Sequence, residues 1–105
     1  MLPSQQENAI ARNIKLIEWL KADILASMSA LFKGMIKGKE DIMLDALASL
    51  VTGCYVLGQR LGFSFNRLDT KIEAKLNESI LEGHEVEKWY GDLSSLRTYL
   101  LNKKR

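Results

Sequence analysis

The sequence predicts an all-α fold, and three observations support this. Apolar residues recur at steps of three and four along most of the chain, as they do on the buried face of a helix. No segment shows the strict alternation of apolar and polar residues that is typical of half-buried strands. The 105 residues include one proline, Pro3, which disfavours an all-β design with many turns. We predict an antiparallel four-helix bundle-like core with an additional C-terminal helix, in a single domain over residues 1–105.

The N-terminal half begins with two helical segments. From Ile24 onward the chain is apolar on two sides of the predicted helix, which is typical of a helix at the centre of a bundle or at a subunit interface. Nothing between Leu20 and Ile24 forces a break, so this segment could continue the preceding helix or be kinked there. Gly34 and Gly38 predict its end.

Caps and periodicity predict the helices that follow. Glu40 suits the positively polarised start of a helix, and Gly62 is a natural left-handed C-cap for its end. Ser64 is expected to cap the next helix, and Gly83 is expected to close it. In the last segment, Asp92 is expected to cap a final helix.

Composition excludes several classes of function. The net charge is only +2, and the one conspicuous basic cluster, residues 103–105, suits the negative end of a helix dipole. We therefore expect no nucleic-acid partner. No stretch reaches the ~20 apolar residues of a membrane span, and no signal peptide heads the chain. We expect a cytoplasmic protein that does not enter the membrane.

Residues with reactive or stacking side chains have structural explanations. Cys54 is the only cysteine, lies in an apolar run and is expected to be a small core residue. His84 has no second histidine and is expected at the surface or as a helix cap. Trp19, Trp89 and Tyr90 lie on or beside apolar stripes, so we expect them to pack in the core or at an interface. A modest core and broad apolar faces predict a homo-oligomer, either a dimer or a tetramer.

One region also resembles a known family. Two helices rich in small residues flank the hairpin KGKED; the second ends in QRLG, and a later helix carries Lys75-Leu76-Asn77. This layout resembles the MazG-like all-α nucleoside triphosphate pyrophosphohydrolases over about half of the chain. The segment EVEKWYGDLSSL that follows is similar to a small firmicute-type group of MazG-like proteins. The resemblance implies a helical fold of the MazG type and a nucleotide as a possible ligand.

The resemblance also implies where metal ligands would lie. The family uses a Glu-x-x-Glu pair on one helix and a Glu-x-x-Asp pair on the next, which together hold magnesium on the triphosphate. Matched position by position, the first pair falls at Ser27 and Ala30, and the second falls at Ala46 and Ser49. None of the four is acidic, so no catalytic residue is assigned to them.

Other residues remain as candidates for binding. Asp23, one turn before Ser27, and Asp45, next to Ala46, are weak candidates for metal ligation; solvated or capping carboxylates are the competing interpretation. By resemblance, Lys75 and Asn77 are candidates for binding phosphate or base. For Lys75 the competing interpretation is an intrahelical pair with Glu78 or Glu82.

Two hypotheses follow. In the first, the chain is a non-catalytic MazG-like homo-oligomer that binds a nucleotide or a partner and needs no cofactor. In the second, it is a divergent magnesium-dependent pyrophosphohydrolase that cleaves nucleoside triphosphates to monophosphates and pyrophosphate. The second hypothesis would use Asp23, Asp45 and either Glu18 or Glu73. The absence of an acidic pair three residues apart in the small-residue helices favours the first.

Overall fold

Five helices and no strand make up the part of the chain that the structure describes. This structure, a computed structural model, describes the backbone of residues 3–103 and the side chains of residues 8–103. The basic residues 104 and 105 therefore lie outside the described residues. The all-α prediction is confirmed, and the helical packing is consistent with a MazG-like fold. In chain order the helices are α1 (Pro3–Lys37), α2 (Glu40–Arg60), α3 (Phe65–Glu82), α4 (Glu85–Tyr90) and α5 (Asp92–Lys103).

The chain divides into two compact units, residues 1–65 and residues 66–105. The first unit contains α1 and α2, which pack against each other as an antiparallel hairpin. The second unit contains nearly all of α3, together with α4 and α5, and the last two helices contact each other.

Helix α1 is continuous between Leu20 and Ile24, where the sequence allows either a continuous helix or a kink. It runs for 35 residues, about 52 Å at 1.5 Å per residue. Gly34 lies inside this helix and does not end it, so that prediction is wrong for Gly34. The helix ends at Lys37, and Gly38 takes the left-handed conformation (φ 64°) that a glycine accepts without steric cost. The Lys39 amide donates to the Gly34 carbonyl at 3.0 Å, which closes the turn into α2.

Close contacts hold α1 against α2. A Cβ atom built at Gly53 would lie 3.1 Å from Ile24 Cγ1, and one built at Gly34 would lie 2.9 Å from Ile42 Cγ2. At the far end of the hairpin, the Asn13 side-chain amide donates to the Arg60 carbonyl at 3.3 Å. The two helices therefore approach closely because glycines remove side chains from their contact.

Helix α2 ends as predicted. Gly62 has φ 101°, and its amide donates to the Gln59 carbonyl at 3.1 Å. The next amide, that of Phe63, donates to the Gly58 carbonyl at 2.9 Å, so two carbonyls of the last turn are paired. Helix α3 then begins directly after Ser64 and ends directly before Gly83, as the sequence indicates.

The membrane expectation needs one correction. Within the described residues one helix, α2, is long and apolar enough to cross a membrane by length and composition, so it was wrong to expect no such stretch. One such helix is weak evidence for a span, although α2 differs from the core helix of a soluble protein in that most of its residues are not buried. In this structure α2 packs along α1.

Side chains cap the two short helices of the second unit. His84 Nδ1 accepts a hydrogen bond from the Val86 amide at 3.1 Å, so this histidine is an N-cap. Asp92 is the first residue of α5, but the Ser94 amide in that first turn is bonded by Glu87, seven residues earlier. The Glu87 carboxylate also accepts from the Ser94 hydroxyl. The sequence predicts that Asp92 caps α5. In the structure, Glu87 of α4 instead accepts the hydrogen bond from the Ser94 amide in the first turn of α5.

These hydrogen bonds favour the charged form of Glu87. The bond from the Ser94 hydroxyl, then that from the Ser94 amide, hold the pKa of Glu87 below its ordinary value of 4.5, and the Arg97 charge acts in the same direction. Because the pKa is lower in the folded protein, the stabilisation is present above about pH 4.5 and is lost as pH falls through the folded-state pKa.

We therefore expect Glu87→Ala to lower the midpoint of thermal unfolding at neutral pH, and to lower it less at an acidic pH below the folded-state pKa of Glu87, where wild type has lost the same interaction. Circular dichroism at both pH values would measure this. Glu78→Ala, at an exposed position on α3, is the matched control and should behave as wild type. An equal penalty for Glu87→Ala at both pH values would contradict the capping role.

Candidate functional site

The register of α1 against α2 decides which residues face one another. The contacts of Gly53 with Ile24 and of Gly34 with Ile42 are about ten residues apart on each helix, so the register is maintained along the hairpin. It places Ser27 at the height of Ser49, and Ala30 at the height of Ala46. The four positions that the resemblance aligns with metal ligands are therefore neighbours across the α1–α2 contact.

The side chains at these four positions have no charge. Ala46 is buried, with 4% of its surface exposed, and it is one of the two buried hydrophobic residues of the described chain. Ser27 and Ala30 are half-buried, and Ser49 is exposed. Neutral hydroxyls and methyl groups are poor ligands for magnesium, which prefers carboxylates and water. The hairpin thus presents small, uncharged residues where a metal site would need charge.

A shallow cavity of about 270 Å³ lies beside this contact. Its polar residues are Asp23 from α1 and Ser49 and Thr52 from α2. The remaining walls are apolar or small side chains: Leu20, Ala48, Gly53 and Val56. Asp23 and Ser49 are among the site positions that the sequence indicates, whereas Thr52 and Val56 are not. Thr52 lies three residues after Ser49, and Val56 lies four residues after Thr52, so all three share one face of α2, and this spacing was the available signal.

The two candidate carboxylates do not converge. Asp45 is exposed, and it lies near the height of Phe32, whereas Asp23 lies near the height of Cys54. The separation along the hairpin is about nine residues, or roughly 13 Å. Only Asp23 lines the cavity. A single carboxylate beside two hydroxyls falls short of the ligand set that the family uses.

The other acids of the alternative hypothesis do not complete a site. Glu18 accepts a hydrogen bond from Lys21 Nζ at 2.8 Å, one turn along the same helix, so its charge is already paired. Glu73 lies half-buried on α3 in the second unit, where it has its own interactions. Across residues 8–103, no group of three or more His, Cys, Asp or Glu side chains is placed to hold a metal ion.

Lys75 and Asn77 point to different sides of α3. Two residues along a helix are about 200° apart, so these side chains do not share a face. Asn77 Oδ1 accepts from the Arg97 guanidinium at 3.0 Å, a bond within the second unit, and Lys75 is exposed. A phosphate that contacts one of them is therefore not positioned to contact the other.

Several side chains that were expected inside are exposed. Cys54 is exposed, so its assignment to the core is wrong. Trp19, Trp89 and Tyr90 are each more than 70% exposed, which excludes core packing for all three. For the aromatic residues, packing at an interface stays a prediction. Periodicity indicates which side chains share a helix face, but it does not tell whether that face is covered.

Comparison with known proteins shows to which family the chain belongs. The model of the MazG-like family matches residues 10–93, which include the α1–α2 hairpin, α3 and α4. No curated protein and no solved structure matches the chain. The match spans well over half of the sequence and includes the two helices on which the resemblance depends. The chain therefore belongs to the MazG-like family.

Proposed function

We propose that this chain is a non-catalytic MazG-like protein that acts as a homo-oligomer through binding. The observation that carries this proposal is the identity of the residues facing each other in the hairpin. Ser27 and Ala30 on α1 lie opposite Ser49 and Ala46 on α2, and none supplies a carboxylate. The chemistry that the family performs depends on magnesium held by several such groups.

Burial at Ala46 gives the proposal a structural reason. A carboxylate that is buried without a cation or partner is strongly destabilising, by about 3–5 kcal/mol. The Ala46 methyl group avoids that cost, and together with Gly34 and Gly53 it lets the helices approach closely. This packing therefore places no buried charge at Ala46 that a metal ion would have to offset.

This cavity is a poor fit for a free triphosphate. Its volume of about 270 Å³ lies below the ~300–1,000 Å³ of typical small-molecule sites. Asp23 is the only charged residue in its wall, and this negative charge would repel phosphate in the absence of a cation. Binding of a nucleotide at Lys75 or Asn77 has less support, because these two side chains point to different sides of α3.

A divergent magnesium-dependent pyrophosphohydrolase is the second candidate function. One observation favours it: Asp23 shares the cavity wall with Ser49, so one carboxylate does lie beside a position that aligns with a family ligand. This reaction would need further ligands, such as Asp45, Glu18 or Glu73, to join Asp23 once magnesium and nucleotide are present.

Release of pyrophosphate distinguishes the two candidates. We expect wild type to release no more pyrophosphate from nucleoside triphosphates than a buffer blank, because the metal positions are neutral. Turnover that is abolished in Asp45→Asn or Asp23→Asn would support the second candidate and contradict the first. Turnover that persists in both variants would indicate a contaminating enzyme.

A further inference from the structure

We propose that the cavity beside Asp23 binds the side-chain ammonium group of a lysine that a partner protein presents. The cavity is the one of about 270 Å³ that α1 and α2 line together, called the Asp23 cavity below. This inference rests on the proposed function, because it names the chemistry of the partner through which a non-catalytic chain acts.

The Asp23 cavity has a free negative charge. Asp23 is the one charged side chain among the described residues of its wall. The Asp23 carboxylate makes no hydrogen bond and no ion pair within the part of the chain that the structure describes. By contrast, Glu18 on the same helix already pairs with Lys21 at 2.8 Å. The unpaired charge of Asp23 therefore attracts a cation from outside the hairpin.

Two hydroxyl groups add acceptors beside this carboxylate. Ser49 and Thr52 lie three residues apart on one face of α2 and line the cavity. Neither side chain is hydrogen-bonded to another described residue. Because Gly53 lies against Ile24, the register puts Thr52 close to the height of Asp23, and Ser49 about one turn further along. The cavity therefore offers oxygen acceptors from two helices.

A lysine side chain matches both the polar and the apolar parts of this cavity. Its ammonium group has three N–H donors that point in different directions, whereas the guanidinium of arginine is a flat fork that suits two oxygens in one plane. Its methylene stem packs on apolar surface, which Leu20, Ala48 and Val56 supply. The volume lies below that of typical small-molecule sites and suits a single side chain.

Two cations on the same side of α1 favour a protein partner over a free polyamine. Arg12 precedes Asp23 by three helical turns, roughly 16 Å, and therefore lies on nearly the same face. Lys15 lies between them, and both cations line a second groove around the exposed ring of Trp19. Neither cation is paired with a described residue. A polyamine would bring its other ammonium groups toward these cations, whereas a protein can bring one lysine to Asp23 and acidic residues to the second groove.

An NMR titration of the isotope-labelled full chain tests the proposal. The probe is Nα-acetyl-lysine N-methylamide, which carries the ammonium group on its natural stem without terminal charges. We expect it to shift the backbone amides of Asp23, Ser49 and Thr52, and we expect added salt to weaken its binding, because salt screens an exposed ion pair. The same probe acetylated at Nε keeps the stem but has no charge and should leave these amides unchanged. Equal shifts with both probes, or none with either, would overturn the proposal.

Three variants locate the binding. Asp23→Asn should raise the dissociation constant of the probe about fivefold, the contribution expected of one exposed ion pair. Thr52→Val keeps the shape of the side chain but removes its hydroxyl, and should raise the constant about threefold. Asp45→Asn is the matched control, because it makes the same charge change at an exposed residue that does not line the cavity. It should bind the probe as wild type does. Equal binding by the two asparagine variants would contradict the assignment to Asp23.

Further arms of the experiment separate the other possible occupants. Spermidine that binds more tightly than the probe, and only while Asp23 is present, would assign the cavity to a free polyamine. Mg²⁺ that shifts the same amides and displaces the probe would indicate a metal site. A change in the sedimentation of Asp23→Asn without any probe would indicate that a second copy of the chain supplies the cation. Each of these results overturns the proposal.

The outcome is separate from that of the proposed function. Pyrophosphate release decides whether the chain is non-catalytic, and the NMR titration decides what the Asp23 cavity binds. Absence of turnover together with absence of probe binding would overturn this inference alone. Turnover that Asp23→Asn abolishes would overturn the proposed function, whatever the probe does.

Discussion

Ala46→Glu is expected to remove a large part of the stability of the fold. The side chain is 4% exposed and faces Ala30 across the helix contact, so a carboxylate there would be buried with no cation near it. Breaking a buried ion pair costs about 3–5 kcal/mol, and an unpaired buried carboxylate should cost a similar amount. Native domains are stable by only about 5–15 kcal/mol in total. Urea unfolding followed by circular dichroism would measure the loss.

Ala48→Glu is the control for this experiment. Ala48 lies two residues further along α2 and is exposed, and the wild-type residue is alanine at both positions. Its replacement should change the free energy of unfolding by no more than about 0.5 kcal/mol. If Ala46→Glu unfolds at the wild-type urea concentration, the hairpin can accept a carboxylate at this position. The structural reason for its neutral residues would then be lost.

Gly34→Leu is expected to separate the two helices. Even a Cβ atom at this position would lie 2.9 Å from Ile42 Cγ2 and 3.2 Å from Met43 Cγ. A leucine must therefore displace α2 or force strained side chains, at a cost of about 1–3 kcal/mol. Leucine also favours the helix by about 0.8 kcal/mol relative to glycine, which offsets part of this loss. Urea unfolding gives the net change, which we expect to be destabilising.

Two further variants isolate the packing effect. Ala26→Leu introduces the same side chain at an exposed position of α1 and should be close to neutral. Ile42→Ala removes the atom nearest to Gly34, so Gly34→Leu should cost less in that background than in wild type. An equal cost in both backgrounds would show that Ile42 does not limit the approach of the helices.

Local signals predicted most of the fold. Glu40 at a helix start and the glycines at positions 38, 62 and 83 mark boundaries that the structure confirms, because their effects act within one turn. Gly34 was misread as a terminator. In a sequence, a glycine that lets another helix approach looks the same as one that ends a helix. The cap from Glu87 to Ser94 was also missed, because it spans two helices.

The candidate site was predictable only in part. The resemblance identified Ser27, Ala30, Ala46 and Ser49, and the hairpin register places them opposite one another. The axial distance between Asp23 and Asp45 depends on that register, which periodicity alone does not fix. The exposure of Cys54 and Trp19 depends on what covers each face, and an amphipathic pattern does not identify the covering partner.

We propose that the α1–α2 hairpin lacks the metal site of its family. The most direct measurement is pyrophosphate release from the four ribonucleoside and four deoxyribonucleoside triphosphates, each with Mg²⁺ and with Mn²⁺, at high protein concentration. An active member of the family serves as the positive control. We predict release at the rate of the buffer blank for every nucleotide and metal. Metal-dependent turnover that Asp23→Asn or Asp45→Asn abolishes would contradict the claim.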